Sequence, residues 1–182
     1  MRKLPFALSL SAVLLLALAA SAAAPANFAG TWILDKAKSQ NLGRLQNAES
    51  VTWVITQDSK QITIEQKITG GEMGGGGPGG GGGGGGRGPG GMMGGPRSYN
   101  LDGSETSVDM GQGKAVRKAG WLSDGKMLEL TTKATFNGPN GEITSNSSDK
   151  LQLSDDGKTL TASQHRESPR GPQDSTLVFN KQ

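Results

Sequence analysis

The segment Phe28-Ala29-Gly30-Thr31-Trp32-Ile33-Leu34-Asp35 predicts the first strand of the chain, near residues 29–35. It stands where an apolar N-terminal run gives way to a polar sequence full of strand and turn patterns. We expect Trp32 to lie in the core, because large aromatic side chains commonly anchor protein interiors. Trp53 and Trp121 are expected either to do the same or to line a pocket.

Two later segments alternate apolar and polar residues with the period of two that is typical of a strand wet on one face. They run from Ile62 to Ile68 and from Leu128 to Phe136. Tight turns between such segments are indicated where Asp or Asn precedes Gly, because these residues tolerate the positive φ of hairpins. Ten strands are predicted, near 29–35, 51–57, 61–69, 97–101, 104–110, 114–122, 126–136, 142–153, 158–166 and 175–181.

Only residues 35–50 offer a helix, of one or two turns at most. A chain with so little helix has to bury the apolar face of its sheet against the sheet itself. The predicted fold class is therefore all-β, an up-and-down antiparallel meander of about eight to ten strands that closes into a barrel or folds into a sandwich.

The F-x-G-x-W-x-L pattern of residues 28–34, with Gly30 and Trp32 at its centre, resembles the first strand of the calycins, the lipocalin and fatty-acid-binding-protein superfamily. It also resembles small exported bacterial proteins called lipocalin-like. The resemblance implies a barrel whose narrow end is closed by Trp32, with a basic residue of the last strand packed across it. That residue would be Lys181, which lacks the planar stacking group of arginine. Residues 35–50 are too short for the helix pair that caps fatty-acid-binding proteins.

The N-terminus has the three parts of a secretory signal peptide, assigned to residues 1–24. Arg2 and Lys3 precede an apolar run from Leu4 to Ala20, and small residues follow it. Cleavage is expected between Ala22 and Ala26, which predicts a periplasmic or secreted protein. An uncleaved membrane anchor is the alternative, since the run is nearly long enough to span a bilayer.

Composition excludes several classes of function. The chain has no cysteine, so it has no disulfide, no thiolate metal site and no thiol nucleophile. Arg2 and Lys3 leave with the signal peptide, which reduces 19 basic residues to 17 against 16 acidic ones, a net charge of +1. A balance so close to neutral argues against nucleic acid as a partner.

A glycine-rich insert occupies residues 70–96, where 19 of 27 residues are glycine. Glycine has no side chain to bury, so we expect a disordered loop. The insert separates segments of the same β character, and the cost of closing a loop grows slowly with its length. The chain from 25 to 182 is therefore predicted to be one domain interrupted by this loop, whose protein partner is unknown.

No catalytic or metal constellation is found, and no cofactor is predicted. The only histidine, His165, stands in a polar run without a signalled partner, so an exposed strand residue is expected. The segment Asp155-Asp156-Gly157 lacks the ligands of a calcium loop. Three methionines of the insert (Met73, Met92 and Met93) are soft donors for Cu(I) but have no histidine beside them. Glu65, Glu129 and Glu142 leave a carboxylate enzyme open.

The leading hypothesis is a non-enzymatic, lipocalin-like binding protein for a small hydrophobic ligand. The alternative is a structural or interaction module of the cell envelope with a filled core, which uses its glycine-rich loop or sheet edge. The residues expected to line the ligand site are Trp53, Ile55, Ile62, Ile64, Trp121, Leu128, Leu130 and Phe136.

Overall fold

A computed structural model describes residues 24–70, 95–111, 113–138, 141–169 and 171–182. The predicted signal peptide, apart from residue 24, and the insert between residues 71 and 94 lie outside the described residues. The same holds for the three methionines of the insert.

The described residues form ten strands and almost no helix, which confirms the predicted all-β class. The strands are β1 (Gly30–Leu34), β2 (Ser50–Gln57), β3 (Gln61–Thr69), β4 (Arg97–Asn100), β5 (Thr106–Asp109), β6 (Gly113–Leu122), β7 (Met127–Gly138), β8 (Gly141–Leu153), β9 (Thr159–Ser168) and β10 (Gly171–Lys181). The region 35–50 contains one short 3-10 helix, Gly43–Asn47, in agreement with the prediction of one or two helical turns at most. No helix of the described chain is long and apolar enough to span a membrane.

The strands form one antiparallel sheet with the order β4-β3-β2-β1-β10-β9-β8-β7-β6-β5. Neighbouring strands are therefore consecutive in the chain except for β1 and β10, the first and last strands, which pair with each other. Short polar turns connect β2 to β3, β6 to β7 and β8 to β9. In the β2–β3 turn, Asp58 Oδ1 accepts the backbone N–H groups of Lys60 and Gln61, at 2.7 and 2.8 Å.

The sheet curls into a nearly closed barrel, with β4 and β5 at its two ends. Side chains connect the two sides of the remaining gap. The Tyr99 hydroxyl of β4 lies 3.1 Å from Thr132 Oγ1 of β7, and the Arg117 guanidinium of β6 lies over the Tyr99 ring. The predicted meander and its curling into a nearly closed barrel are thus confirmed.

Trp32 closes one end of the barrel, as its motif implied. It is fully buried, and its Nε1–H donates to the Phe28 carbonyl at 2.9 Å. Lys181 is its register neighbour on β10 and places Nζ 5.2 Å from the ring centroid. A lysine therefore makes the cation–π contact here without the planar stacking that arginine would add.

The segment before β1 crosses the base of the barrel. Phe28 is fully buried and stacks on Trp121 with ring centroids 6.2 Å apart. Gln57 bridges this segment to β2, since its Oε1 accepts from Phe28 N at 2.9 Å and its Nε2 donates to Ala26 O at 3.0 Å. The Trp32 end is therefore blocked by the chain's own residues.

Candidate functional site

The inner face of the barrel changes from apolar to polar from one cross-strand row to the next. Strand register aligns one apolar row, then a mixed row, then a polar row across β10, β9, β8, β7 and β6. The apolar row is Leu177, Ala162, Leu151, Leu128 and Trp121. The mixed row is Ser175, Gln164, Asp149, Leu130 and Ala119. The polar row is Gln173, Arg166, Ser147, Thr132 and Arg117, extended by Thr106 of β5.

An ion pair crosses the interior between the mixed row and β4. Arg97 Nη1 lies 3.3 Å from Asp149 Oδ2, and the two side chains are only 17% and 4% exposed. Strands β4 and β8 are far apart in the sheet, so this contact passes through the barrel. Gln164 Nε2 donates to Asp149 Oδ1 at 3.1 Å, and Ser175 Oγ donates to Gln164 Oε1 at 3.3 Å. Both carboxylate oxygens of Asp149 are thereby engaged.

Arg117 faces the same interior, but it forms no ion pair with a carboxylate of the described residues. Its guanidinium lies 6.0 Å from the Tyr99 ring centroid, and its buried Nε has no hydrogen-bond partner. The neighbouring Thr106 Oγ1 is also buried without a partner. Buried polar atoms are nearly always paired in folded proteins, so two adjacent exceptions mark a place where a polar ligand group would be stabilised.

We name this group of residues the interior polar cluster; its members are Arg97, Tyr99, Thr106, Arg117, Thr132, Asp149 and Gln164. Its charged members are two guanidinium groups and one carboxylate, an excess of one positive charge. Burial lowers the pKa of Arg117, and the positive charge of Arg97 adds to the lowering. Arginine stays protonated in proteins, so the excess charge persists at neutral pH. Arg166, near the other end of the polar row, interacts with other groups of the protein.

The structure places all the predicted lining residues on the inner face. Trp53, Ile55, Ile62, Ile64, Leu128 and Leu130 belong to one buried cluster, each at most 2% exposed. Trp121 packs at the edge of that cluster, and Phe136 lies partly buried beyond the polar row.

Trp53 and Leu130 lie at the boundary between the apolar and polar parts of the interior. Trp53 contacts Phe179 at 4.5 Å between ring centroids, so the apolar side is filled there. On its other side Trp53 meets polar groups: Nε1 donates to Gln66 Oε1 at 3.1 Å, and the Arg97 guanidinium lies 5.8 Å from the ring centroid. The arginines and Asp149 at this boundary were missed from the sequence.

Surface grooves lie at two places on the described part of the barrel. One of about 560 Å³ follows the outer face of β6 to β9 and is lined by polar residues that include Lys118, Thr131, Ser148 and His165. The other, of about 450 Å³, lies at the Trp32 end between Pro25, Asp58, Leu101 and Trp121.

His165 is an exposed strand residue, as predicted, and the structure gives it a partner that the sequence did not signal. Asp174 stands opposite it on β10, and His165 Nδ1 lies 2.6 Å from Asp174 Oδ1. Glu167 lies 3.6 Å from Nε2. The hydrogen bond that the His165 ring donates to the Asp174 carboxylate raises the His165 pKa, with a further contribution from Glu167. Ser148, opposite on β8, donates to Glu129 instead.

The three glutamates considered for carboxylate chemistry have separate surroundings in the structure. Glu65 contacts Lys67, Glu129 contacts Lys150 and Ser148, and Glu142 is exposed near the start of β8. Among the described residues no group of three or more His, Cys, Asp or Glu is arranged to hold a metal ion.

No protein-family model matches the sequence, and no curated protein matches it. Among solved structures, the chain is similar to the zebrafish ileal bile acid-binding protein, whose crystal structure is a complex with cholic acid. The sequences are 12% identical, the TM-score is 0.46, and the match covers 85% of this chain and 98% of that chain. The fold is calycin-like. The strand order of the present chain and the contact between its Lys181 and Trp32 show this likeness.

Proposed function

We propose that the barrel binds a small molecule with an apolar body and one acidic group, and that Arg117 receives that group. The observation that carries the proposal is the buried Nε of Arg117, which has no hydrogen-bond partner. It belongs to a cluster with an excess of one positive charge. A guanidinium suits a carboxylate, sulfate or sulfonate because its planar fork of N–H groups can donate two hydrogen bonds to two oxygens of the same group.

The apolar body would lie at the boundary between the apolar and polar rows. Side chains fill the Trp32 end, so the ligand is expected to stop against Trp53 and Leu130. Its acidic group then reaches Arg117, Tyr99 and Thr106 of the interior polar cluster. This arrangement makes use of two predicted lining residues and supports a binding protein, because a buried N–H group without a hydrogen-bond acceptor destabilises the fold, and a bound anion would supply that acceptor.

Two fluorescent probes with the same ring system test this directly. 8-Anilinonaphthalene-1-sulfonate carries one negative charge, whereas N-phenyl-1-naphthylamine is neutral. We expect Arg117→Gln to weaken binding of the sulfonate about 10- to 100-fold, equivalent to about 1.5–3 kcal/mol for a hydrogen bond to a charged group. Binding of the neutral probe should be unchanged.

Lys118→Gln is the matched control, because it removes a positive charge one residue away on the outer face. It should leave both affinities unchanged. If Lys118→Gln weakens sulfonate binding and Arg117→Gln does not, the probe occupies the outer groove and the proposal is wrong.

The alternative of an interaction module with a filled interior is favoured by one observation, the burial of the apolar cluster. Failure of both probes to bind the wild-type protein would support that module. A partner captured by the wild type and lost on deletion of residues 70–96, with the fold retained, would identify its interaction surface.

We further propose that binding takes place after export, in the periplasm or outside the cell, on the basis of the N-terminal sequence pattern. Mass spectrometry of the protein recovered from a secreting host should show a mature N-terminus between Ala22 and Ala26. An intact N-terminus in the cytoplasmic fraction alone would contradict export.

A further inference from the structure

Asp149 is the carboxylate of the interior polar cluster, and it is 3% exposed. It neutralises Arg97 at 3.3 Å and is held in place by Gln164. Burial of a charge is costly unless the charge is paired, so Asp149 stabilises Arg97 in the interior. The same carboxylate leaves Arg117 as the only cation of the cluster without an opposite charge in the described structure.

We propose that Asp149 restricts the ligand to a single negative charge in its head group. This inference rests on the proposed function and adds a selectivity to it. A monoanion balances the excess charge of the cluster. A dianion brings a second negative charge into a weakly screened interior that already contains the Asp149 carboxylate, where like charges repel strongly.

Substitutions within the cluster provide a series of charges. The wild type has an excess of +1, Asp149→Asn raises it to +2, and Arg97→Gln lowers it to zero. The double variant Arg97→Gln with Asp149→Asn returns to +1 with neither member of the ion pair. Arg166 is unchanged throughout, so differences between these proteins report the cluster alone.

Octyl sulfate and octyl phosphate are suitable probes because they have the same alkyl chain. Near pH 8 the sulfate carries one negative charge and the phosphate about two, since the second pKa of a phosphate ester is about 6. Isothermal titration calorimetry gives the ratio of the two dissociation constants for each protein. The wild type should bind the sulfate more tightly.

Asp149→Asn should shift the ratio toward the phosphate by at least about tenfold, because two unit charges within about 10 Å of each other in a protein interior interact strongly enough for such a change. The double variant should return to within about threefold of the wild type. A ratio that is the same in the wild type and in folded Asp149→Asn would overturn the inference.

Asp149→Asn leaves Arg97 buried without its partner and could prevent folding, which circular dichroism would reveal. In that event Arg97→Gln is compared with the double variant, because these two differ only by the Asp149 charge and neither contains Arg97. The double variant should then favour the phosphate by about tenfold relative to Arg97→Gln; equal ratios would overturn the inference. Weaker binding of 8-anilinonaphthalene-1-sulfonate by Arg117→Gln than by the wild type would show that the proposed function survives even if the ratios are equal, whereas loss of all probe binding by the wild type would reject that function itself.

Discussion

Gly30 shows how a single residue allows the barrel to close. Its φ is +145°, and a Cβ at this position would lie 3.0 Å from Lys181 Cε and 3.6 Å from Trp32 Nε1. Glycine adopts such a φ without steric cost, and its missing side chain leaves the space that Lys181 occupies across Trp32. The G-x-W pattern seen in the sequence therefore has a local physical reason.

Gly30→Ala should destabilise the fold by about 1–3 kcal/mol, the usual cost of holding a side chain in a disfavoured backbone conformation. Chemical denaturation followed by tryptophan fluorescence measures the change. Gly120→Ala on β6 is the control, because nothing lies within 4 Å of its Cβ position. The control should change stability by no more than about 0.5 kcal/mol. Equal stabilities of the two variants would show that Gly30 has no special role.

The residues of the interior polar cluster could have been anticipated in part. Asp149 lies two positions before Leu151, and Gln164 lies two after Ala162, so both share the phase of core residues on their strands. Arg117 has the same relation to Ala119. Alternation placed these polar side chains inward, but only the curvature of the sheet brings β4, β6 and β8 together. The spacing of residues along the sequence does not reveal which strands this curvature brings together.

At the scale of elements, the predicted strands agree closely with the observed ones because alternation and turn residues act locally. The largest difference is β10, predicted from 175 but observed from Gly171. Pro172 cannot donate a backbone hydrogen bond, which argues against a strand there. Gly171 nevertheless pairs with Ser168, which extends the hairpin by four residues.

The outer faces of β9 and β10 make a pH-dependent contribution to stability. Asp174 and Glu167 raise the pKa of His165 above its ordinary value of 6.5. Protonated His165 is thus favoured in the folded protein, so its contribution is complete below about pH 6.5 and is lost as the pH rises through the raised pKa. Because His165 is the only histidine, its effect can be isolated.

Urea midpoints measured at about pH 6 and about pH 8 should therefore be higher at the lower pH for the wild type. His165→Gln should remove most of this difference. A wild-type midpoint that rises between these two values of pH would contradict the assigned sign.

The whole molecule combines two requirements in one interior. Pairing of β1 with β10 and the plug formed by Phe28 and Trp32 complete an apolar end that stabilises the fold. The interior polar cluster contains two cations and one carboxylate, which do little for stability. Such an arrangement is expected where a binding site has been built at the cost of a fully apolar core.

Nuclear magnetic resonance of the isotope-labelled protein with bound 8-anilinonaphthalene-1-sulfonate tests most directly where the ligand lies. We expect intermolecular Overhauser contacts from the naphthalene and aniline protons to Leu130, Trp53 and Tyr99, and their disappearance when excess octyl sulfate displaces the probe. Contacts confined to Lys118, Thr131 and His165 on the outer face, or no bound state at all, would contradict binding inside the barrel.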